Sequence, residues 1–228
     1  MNADEIDRLL RAHDIALWGV AANEPRIALS PDLPRAISLV AAHDAAAMAG
    51  VVTEPTPAYY ADYKRLNALL DEASAALAAA LRAAGHAAEA VPATIYEDEY
   101  DAVEDWGDAG VFAHKTAATR AGLGWVGKTA LFVSPELGPW VRLATVFTDA
   151  DLAPGTPVTD GRCGACRACV DACPAGAGRD VTWHAGMPRD ELFDEKACEV
   201  YTERFEDLGC VCGSCLAACP YGTAGAGG

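Results

Sequence analysis

The sequence predicts an α+β domain followed by a compact cysteine-rich module, and three observations carry that expectation. Apolar residues recur at helical spacing across 59–84, where Leu66, Leu69, Leu70, Ala73, Leu77 and Leu81 fall on one face. Short runs with β-branched content at 15–21, 35–41, 88–93 and 141–148 suit buried strands. All nine cysteines lie in the last 66 positions, beginning at Cys163. Together they divide the chain into an α+β domain over 1–150 and a small module over 151–228.

Each element has its own signal. Residues 3–14 place Ile6, Leu9 and Leu10 on one face behind an acidic first turn, as an amphipathic helix requires. The 59–84 helix is expected to stop at Gly85, and a helix over 111–121 at Gly122. Residues 148–157 hold two prolines and a glycine and read as an ordered connector. Beyond it, 190–205 is expected to form one helix with Phe193, Ala197, Val200 and Tyr201 inward.

Composition narrows the function classes. The chain has 228 residues, 52% of them hydrophobic, enough for one good core plus a small appended module. No apolar stretch is long enough to span a bilayer. Thirty-three acidic residues against seventeen basic ones give a net charge of −16, which repels phosphate backbones, so no nucleic-acid partner is expected. The N-terminal stretch is acidic without an apolar signal core, and a cytoplasmic, reducing location is expected for the thiols.

The thiols are ordered. Cys163-Gly-Ala-Cys166-Arg-Ala-Cys169-Val-Asp-Ala-Cys173-Pro174 reads C-x₂-C-x₂-C-x₃-C-P, and Cys212-Gly-Ser-Cys215-Leu-Ala-Ala-Cys219-Pro220 repeats its latter part. Ferredoxin-like modules hold two 4Fe–4S clusters with this spacing, the fourth Cys of a run reaching the other cluster. Zinc knuckles need neither the third Cys nor the Cys-Pro ending, and a disulfide framework needs an oxidising compartment. The crossed pattern assigns Cys163, Cys166, Cys169 and Cys219 to one cluster, and Cys173, Cys212 and Cys215 to the other. Cys198 and Cys210 compete for the remaining place. Cys210 lies only two residues from Cys212, an awkward spacing for two corners of one cube, so Cys198 is favoured.

A second motif lies upstream. His114-Lys115 precedes Ala121-Gly122-Leu-Gly124-Trp125-Val-Gly127-Lys128, in which three glycines allow close backbone approach and Lys128 or Lys115 could meet an anionic group. The pattern follows a helix and lacks the Walker Ser/Thr, so by itself it is no nucleotide fingerprint. Joined to Gly138-Pro-Trp-Val-Arg142-Leu-Ala-Thr-Val-Phe-Thr-Asp149 and the cysteine runs, it resembles the epoxyqueuosine reductase family over roughly 55–222. The resemblance implies a domain on the flavin nitroreductase scaffold that binds base-off cobalamin, beside a double-cluster domain that reduces the cobalt. It also implies an eighth ligand well upstream of the second C-x₂-C, which supports Cys198. Asp108 falls where the family's catalytic carboxylate sits, thirteen residues before the Ala-Gly-Leu-Gly-Trp run, but in an Asp-Ala context. The family's tRNA-reading extension is expected to be absent.

Asp108, Tyr96 and His114 are the candidate proton donors, and Gly122, Gly124, Trp125, Gly127, Lys128 and Lys115 the candidate cofactor contacts. Each has a bland reading. Asp108 ends a run of acids that suits a solvated loop, Tyr96, Tyr100 and Trp106 could anchor that loop, and a lone His is most often structural. His184 could tune a nearby cluster or sit in a surface loop; His13, His43 and His86 carry no separable signal. The expected function is an iron–sulfur oxidoreductase that passes electrons from a ferredoxin or flavodoxin through two clusters to a cobalamin, for reduction of an unknown small substrate. The alternatives are an electron carrier or corrinoid reductase serving a partner enzyme, and a flavin-dependent reductase.

Overall fold

The computed structural model describes residues 1–24, 32–94 and 113–225. In chain order the helices and strands are α1 (Ala3–Ala12), β1 (Leu17–Ala22), β2 (Arg35–Ala42), α2 (Ala45–Ala49), α3 (Pro57–Ala83), β3 (Ala88–Val91), α4 (His114–Arg120), β4 (Trp125–Val126), β5 (Phe132–Val133), β6 (Val141–Thr148), α5 (Ala168–Asp171), α6 (Arg189–Leu192), α7 (Glu195–Thr202), a 3₁₀ turn (Glu203–Leu208), α8 (Ser214–Ala217) and α9 (Pro220–Gly225). The chain gathers into two compact units that interleave in sequence. The first is drawn from Met1–Ala41, Leu66–Leu123 and Arg142–Pro157, the second from Ala42–Arg65, Gly124–Val141 and Val158–Gly228.

The first unit is built on a four-stranded sheet in the order β1-β2-β6-β3, with β1 antiparallel to β2 and β3 antiparallel to β6. The strands that the apolar runs predict are therefore present, and their period-2 alternation feeds two separate cores. Ile37, Leu39, Ala144 and Val146 pack with Ile6 and Leu10 of α1 and with Leu66, Leu70, Ala73, Leu77 and Leu81 of α3. Ala36 and Phe147 turn the other way, against Ala117 and Ala121 at α4. Each fully buried Leu or Ile adds about 1.5–3 kcal/mol of transfer free energy, which makes the α3 stripe the main organiser of this unit.

Local signals set the helix ends. Asn2 caps α1 in a reciprocal capping box: the Glu5 N–H donates to Asn2 Oδ1 at 3.0 Å, and the Asn2 N–H to Glu5 Oε2 at 2.9 Å. At the far end of α3, Gly85 takes φ +90°, and the His86 N–H returns to the Leu81 carbonyl at 3.1 Å. This left-handed glycine stop is the one expected from the sequence. The 148–157 connector is held in place, with the Gly155 N–H donating to the Val20 carbonyl at 2.8 Å.

The second unit consists mainly of short helices and turns, with the β4–β5 hairpin as its sheet element. The single helix expected over 190–205 is broken. Phe193 adopts extended backbone (φ −153°, ψ 131°), and Asp194 then caps α7 by accepting from the Ala197 N–H at 3.0 Å. The break turns Phe193 into a buried cluster, where it meets Val126, Ala130, Ala177 and Leu192. It also places Val200 outward at 54% exposure, against the expected inward face. No helix among the described residues is long and apolar enough to cross a membrane.

Candidate iron–sulfur centres

The two cysteine runs fold as two copies of one local device within the second unit. In the first, Gly164 takes φ +51°, the Cys166 N–H donates to the Cys163 carbonyl at 3.0 Å, and α5 carries Cys169. In the second, Gly213 takes φ +82° and α8 carries Cys215. Each helix ends at a Cys-Pro step followed by the same turn: Gly176 N–H to the Cys173 carbonyl at 3.0 Å, and Gly222 N–H to the Cys219 carbonyl at 2.9 Å. α5 and α8 pack against one another, so the duplicated halves are also spatial neighbours.

Through-space electrostatics sort the thiols into two groups. Cys169 and Cys219 each feel Cys163 and Cys166, and Cys169 also feels Cys219. Cys198 feels Cys173 and Cys212, while Cys215 feels Cys212, Cys169 and Cys173. These neighbourhoods fit the assignment Cys163, Cys166, Cys169, Cys219 and Cys173, Cys198, Cys212, Cys215, with Cys215 feeling Cys169 as well. Burial is the main cause that pushes Cys169 up to about 11 and Cys215 up to about 12, and it also raises Cys198 and Cys219. A buried thiol in this setting keeps its proton unless positive charge arrives, as it does when iron is ligated. Cys210 is exposed in the turn after the 3₁₀ segment, with φ +52°.

A 4Fe–4S cluster takes four thiolates, so eight sulfurs in two sets of four fit a pair of them as a donor set. Among the described residues, no three His, Cys, Asp or Glu side chains converge closely enough to hold a single metal ion. Hydrogen-bond donors surround the sulfurs. Trp125 Nε1–H donates to Cys163 Sγ at 3.4 Å, the Ala177 N–H donates to Cys173 Sγ at 3.4 Å, and Cys212 Sγ lies 3.1 Å from Ser214 Oγ. The Thr129 hydroxyl is a hydrogen-bond partner of both Cys169 and Cys215. Thr129, Ala177 and Ser214 carry no motif of their own, which is why sequence reasoning missed them.

The glycine-rich run divides between the units, Gly122 in the first and Gly124 to Lys128 in the second. Gly122 has φ +83°, and a Cβ there would stand 2.6 Å from the Thr156 carbonyl oxygen. A Cβ on Gly124 would meet the Val133 carbonyl at 2.1 Å, so this glycine lets β4 close on β5. Gly127 packs beside Val133, with Cys163 Sγ at 4.0 Å from a would-be Cβ. Trp125 is 1% exposed, and Lys128 is buried with its Nζ donating to Asp180 Oδ1 at 2.8 Å. Asp180 also takes Arg167, and the Lys128 bond is the leading cause that holds its carboxyl below the usual range. Lys115 is half-buried near the start of α4. The space beside these glycines is filled by protein backbone, and Trp125 and Lys128 point to partners of the second unit.

Of the candidate proton donors, Asp108 and Tyr96 lie outside the described residues, as do Tyr100 and Trp106. His114 is held by both ring nitrogens: Nδ1 lies 2.9 Å from Thr145 Oγ1, and Nε2 2.8 Å from the Pro92 carbonyl. A carbonyl can only accept, so Nε2 carries the proton and Nδ1 accepts from Thr145. Burial, with Arg142 nearby, pushes the imidazole down to about 4. This ring ties α4 to the sheet and is not poised for proton transfer at neutral pH. His184 is exposed in a loop, its Nδ1 3.1 Å from the Ala185 carbonyl. Sequence gave no signal for His43, yet its ring is buried with Nδ1 2.8 Å from Asp62 Oδ2. Burial alone would raise Asp62, but bonds from the Asp44 N–H, Arg65 and His43 outweigh it and hold the carboxyl low.

No protein-family model matches the chain. The epoxyqueuosine reductase of Listeria monocytogenes serovar 1/2a is 35% identical over 121 residues, covering 50% of this chain and 31% of the relative. This chain resembles the epoxyqueuosine reductases. It spans about a third of the length of the curated relatives it matches. In structure, a reductive dehalogenase described in terms of B12-dependent dehalogenation aligns with TM-score 0.70 at 19% identity, covering 96% of this chain and 32% of that one. An epoxyqueuosine reductase bound to an epoxyqueuosine-modified tRNA stem loop aligns with TM-score 0.63 at 18% identity, covering 96% and 65%. At such identities the structures establish a shared mixed α/β fold.

Two outcomes follow from this geometry. Cys198→Ala should lose about half the iron bound by the anaerobically purified protein while Cys210→Ala keeps it all; the reverse pattern refutes the second group of four. His114 has a depressed pKa in the folded state, so the unfolded chain binds the extra proton between pH 6.5 and about 4. Denaturant titration should therefore show the wild type losing on the order of 1–3 kcal/mol more than His114→Gln as pH falls through that window, the lower end reflecting partial exposure. Equal losses contradict the neutral, doubly bonded imidazole.

Proposed function

We propose that the chain is an iron–sulfur oxidoreductase of the epoxyqueuosine reductase type, which carries two 4Fe–4S clusters and delivers single electrons to a cobalamin. The observation that carries this reading is the sorting of eight thiols into two adjacent groups of four. The resemblance to reductases and the fold shared with a B12-dependent dehalogenase support the cobalamin part.

The roles of the chain's own residues follow from where they sit. Cys163, Cys166, Cys169 and Cys219 would hold one cluster, and Cys173, Cys198, Cys212 and Cys215 the other. Clusters of this kind supply low-potential one-electron transfer. Ser214, Thr129, Ala177 and Trp125 direct hydrogen-bond donors at the ligand sulfurs and stabilise negative charge there. Cys215 feels Cys169 across the two groups, so electrons would pass from one to the other at that point. Lys128 and Arg167, both on Asp180, brace the glycine-rich hairpin against the first cysteine loop. Electrons would come from a reduced ferredoxin or flavodoxin, and Asp108 remains the candidate proton donor to a small substrate. A chain of charge −16 is a poor tRNA ligand, so the substrate differs from that of the tRNA-binding relatives.

A second reading is favoured by one observation. Trp125, Lys128 and the three glycines nominated for a cofactor are engaged by protein atoms. Under that reading the chain carries electrons to a partner enzyme. Anaerobic titration with cobalamin, followed by EPR of the Co(II) form, separates the two. Base-off Co(II) at micromolar cobalamin supports the reductase, and no binding together with intact iron–sulfur signals supports the carrier.

A further inference from the structure

Trp125 lies in the motif first associated with a cofactor of the other domain, yet its surroundings are those of the cysteine loops. The side chain is 1% exposed, and an indole N–H can only donate. A buried donor needs an acceptor, and the one it finds is Cys163 Sγ at 3.4 Å. The ring has little freedom to turn away. Trp125 pairs with Val133 across the β4–β5 hairpin, the Tyr221 ring meets it edge-on at 5.0 Å and 76°, and the Arg162 guanidinium lies 5.6 Å from its centre. Arg162 directly precedes Cys163, and Tyr221 follows Cys219-Pro220. The ring is therefore clamped between the two chain segments that carry the ends of one group of four thiols. The other group has its own donors, the Ala177 N–H on Cys173 and the Ser214 hydroxyl beside Cys212.

We propose that the Trp125 indole N–H acts through Cys163 to raise the reduction potential of the cluster held by Cys163, Cys166, Cys169 and Cys219, leaving the other cluster unaffected. The inference rests on the two-cluster reading given above. Reduction adds one electron, supplied by an external low-potential donor, and moves no proton. The added negative charge spreads onto the ligand sulfurs, where an N–H donor stabilises it more than in the oxidised state. Phenylalanine at this position keeps a ring for Tyr221 and Arg162 to pack on and removes the N–H alone. The Trp125 bond thereby separates the potentials of two clusters whose ligand loops are otherwise near-copies.

The test is a potentiometric titration of anaerobically purified wild type and Trp125→Phe, read by EPR, with iron measured on both. The expected result is an unchanged iron content and one cluster midpoint displaced to lower potential, the second staying in place. Two unmoved midpoints, or an equal displacement of both, overturn the proposal. Should the variant lose iron or fail to fold, protein that keeps Trp125 and is labelled with ¹⁵N-indole tryptophan decides the matter. With Trp140 and Trp183, whose indoles also lie by the cysteine runs, replaced by Phe, electron–nuclear coupling between an indole nitrogen and a reduced cluster supports the bond, and its absence overturns it. A wild type without two clusters fails the underlying reading instead, which the iron measurement reveals before any midpoint is compared.

Discussion

Burial of thiols beside other thiols is the constraint on which the second unit depends. Cys169 and Cys215 sit among sulfurs of both groups, and burial drives them up to about 11 and about 12. Left to themselves these side chains hold protons and contribute modestly as small hydrophobes. Deprotonated around the proposed clusters, they would cross-link two helical turns, two Cys-Pro steps and, through Cys198, helix α7. Apart from the start of α3, this unit has four- to eight-residue helices and a two-residue-per-strand hairpin, little regular secondary structure to hold it. With the proposed clusters, binding and folding of this unit would be one equilibrium, since the binding free energy would go to the folded form alone.

The first unit has a different physical basis. Its sheet and its two long-range cores are satisfied by apolar packing, and the half-buried His114 imidazole at α4 is neutral with both nitrogens bonded. Nothing in that arrangement requires a metal. The candidate acid Asp108 and the aromatic residues beside it belong to the segment 95–112, outside the described residues.

Much of this was legible from residues alone, and the exceptions have physical causes. The strands over 35–41 and 141–148 and the helix over 59–84 could be read because burial on a sheet or a helix face imposes a period. The cysteine runs carry a spacing that cluster geometry imposes, and the ligand groups read from it stand as a proposal. The 190–205 helix was misread because Phe193 gains more from entering the cluster of Val126 and Leu192 than from continuing the helix, an effect of tertiary packing on a weak local preference. The interleaving of the units, with Ala42–Arg65 and Gly124–Val141 grouped with the cysteine loops, left no mark in composition. Trp125 is a candidate cofactor contact in the sequence because a glycine-rich turn announces close approach without saying to what. Here the close approach is to Val133 and Cys163.

The central claim is that eight of the nine thiols hold two cubane clusters. Its most direct test is iron and acid-labile sulfide measured on the same anaerobically purified sample. About eight of each per chain is the predicted result. Iron without sulfide, or zinc in its place, would contradict the account.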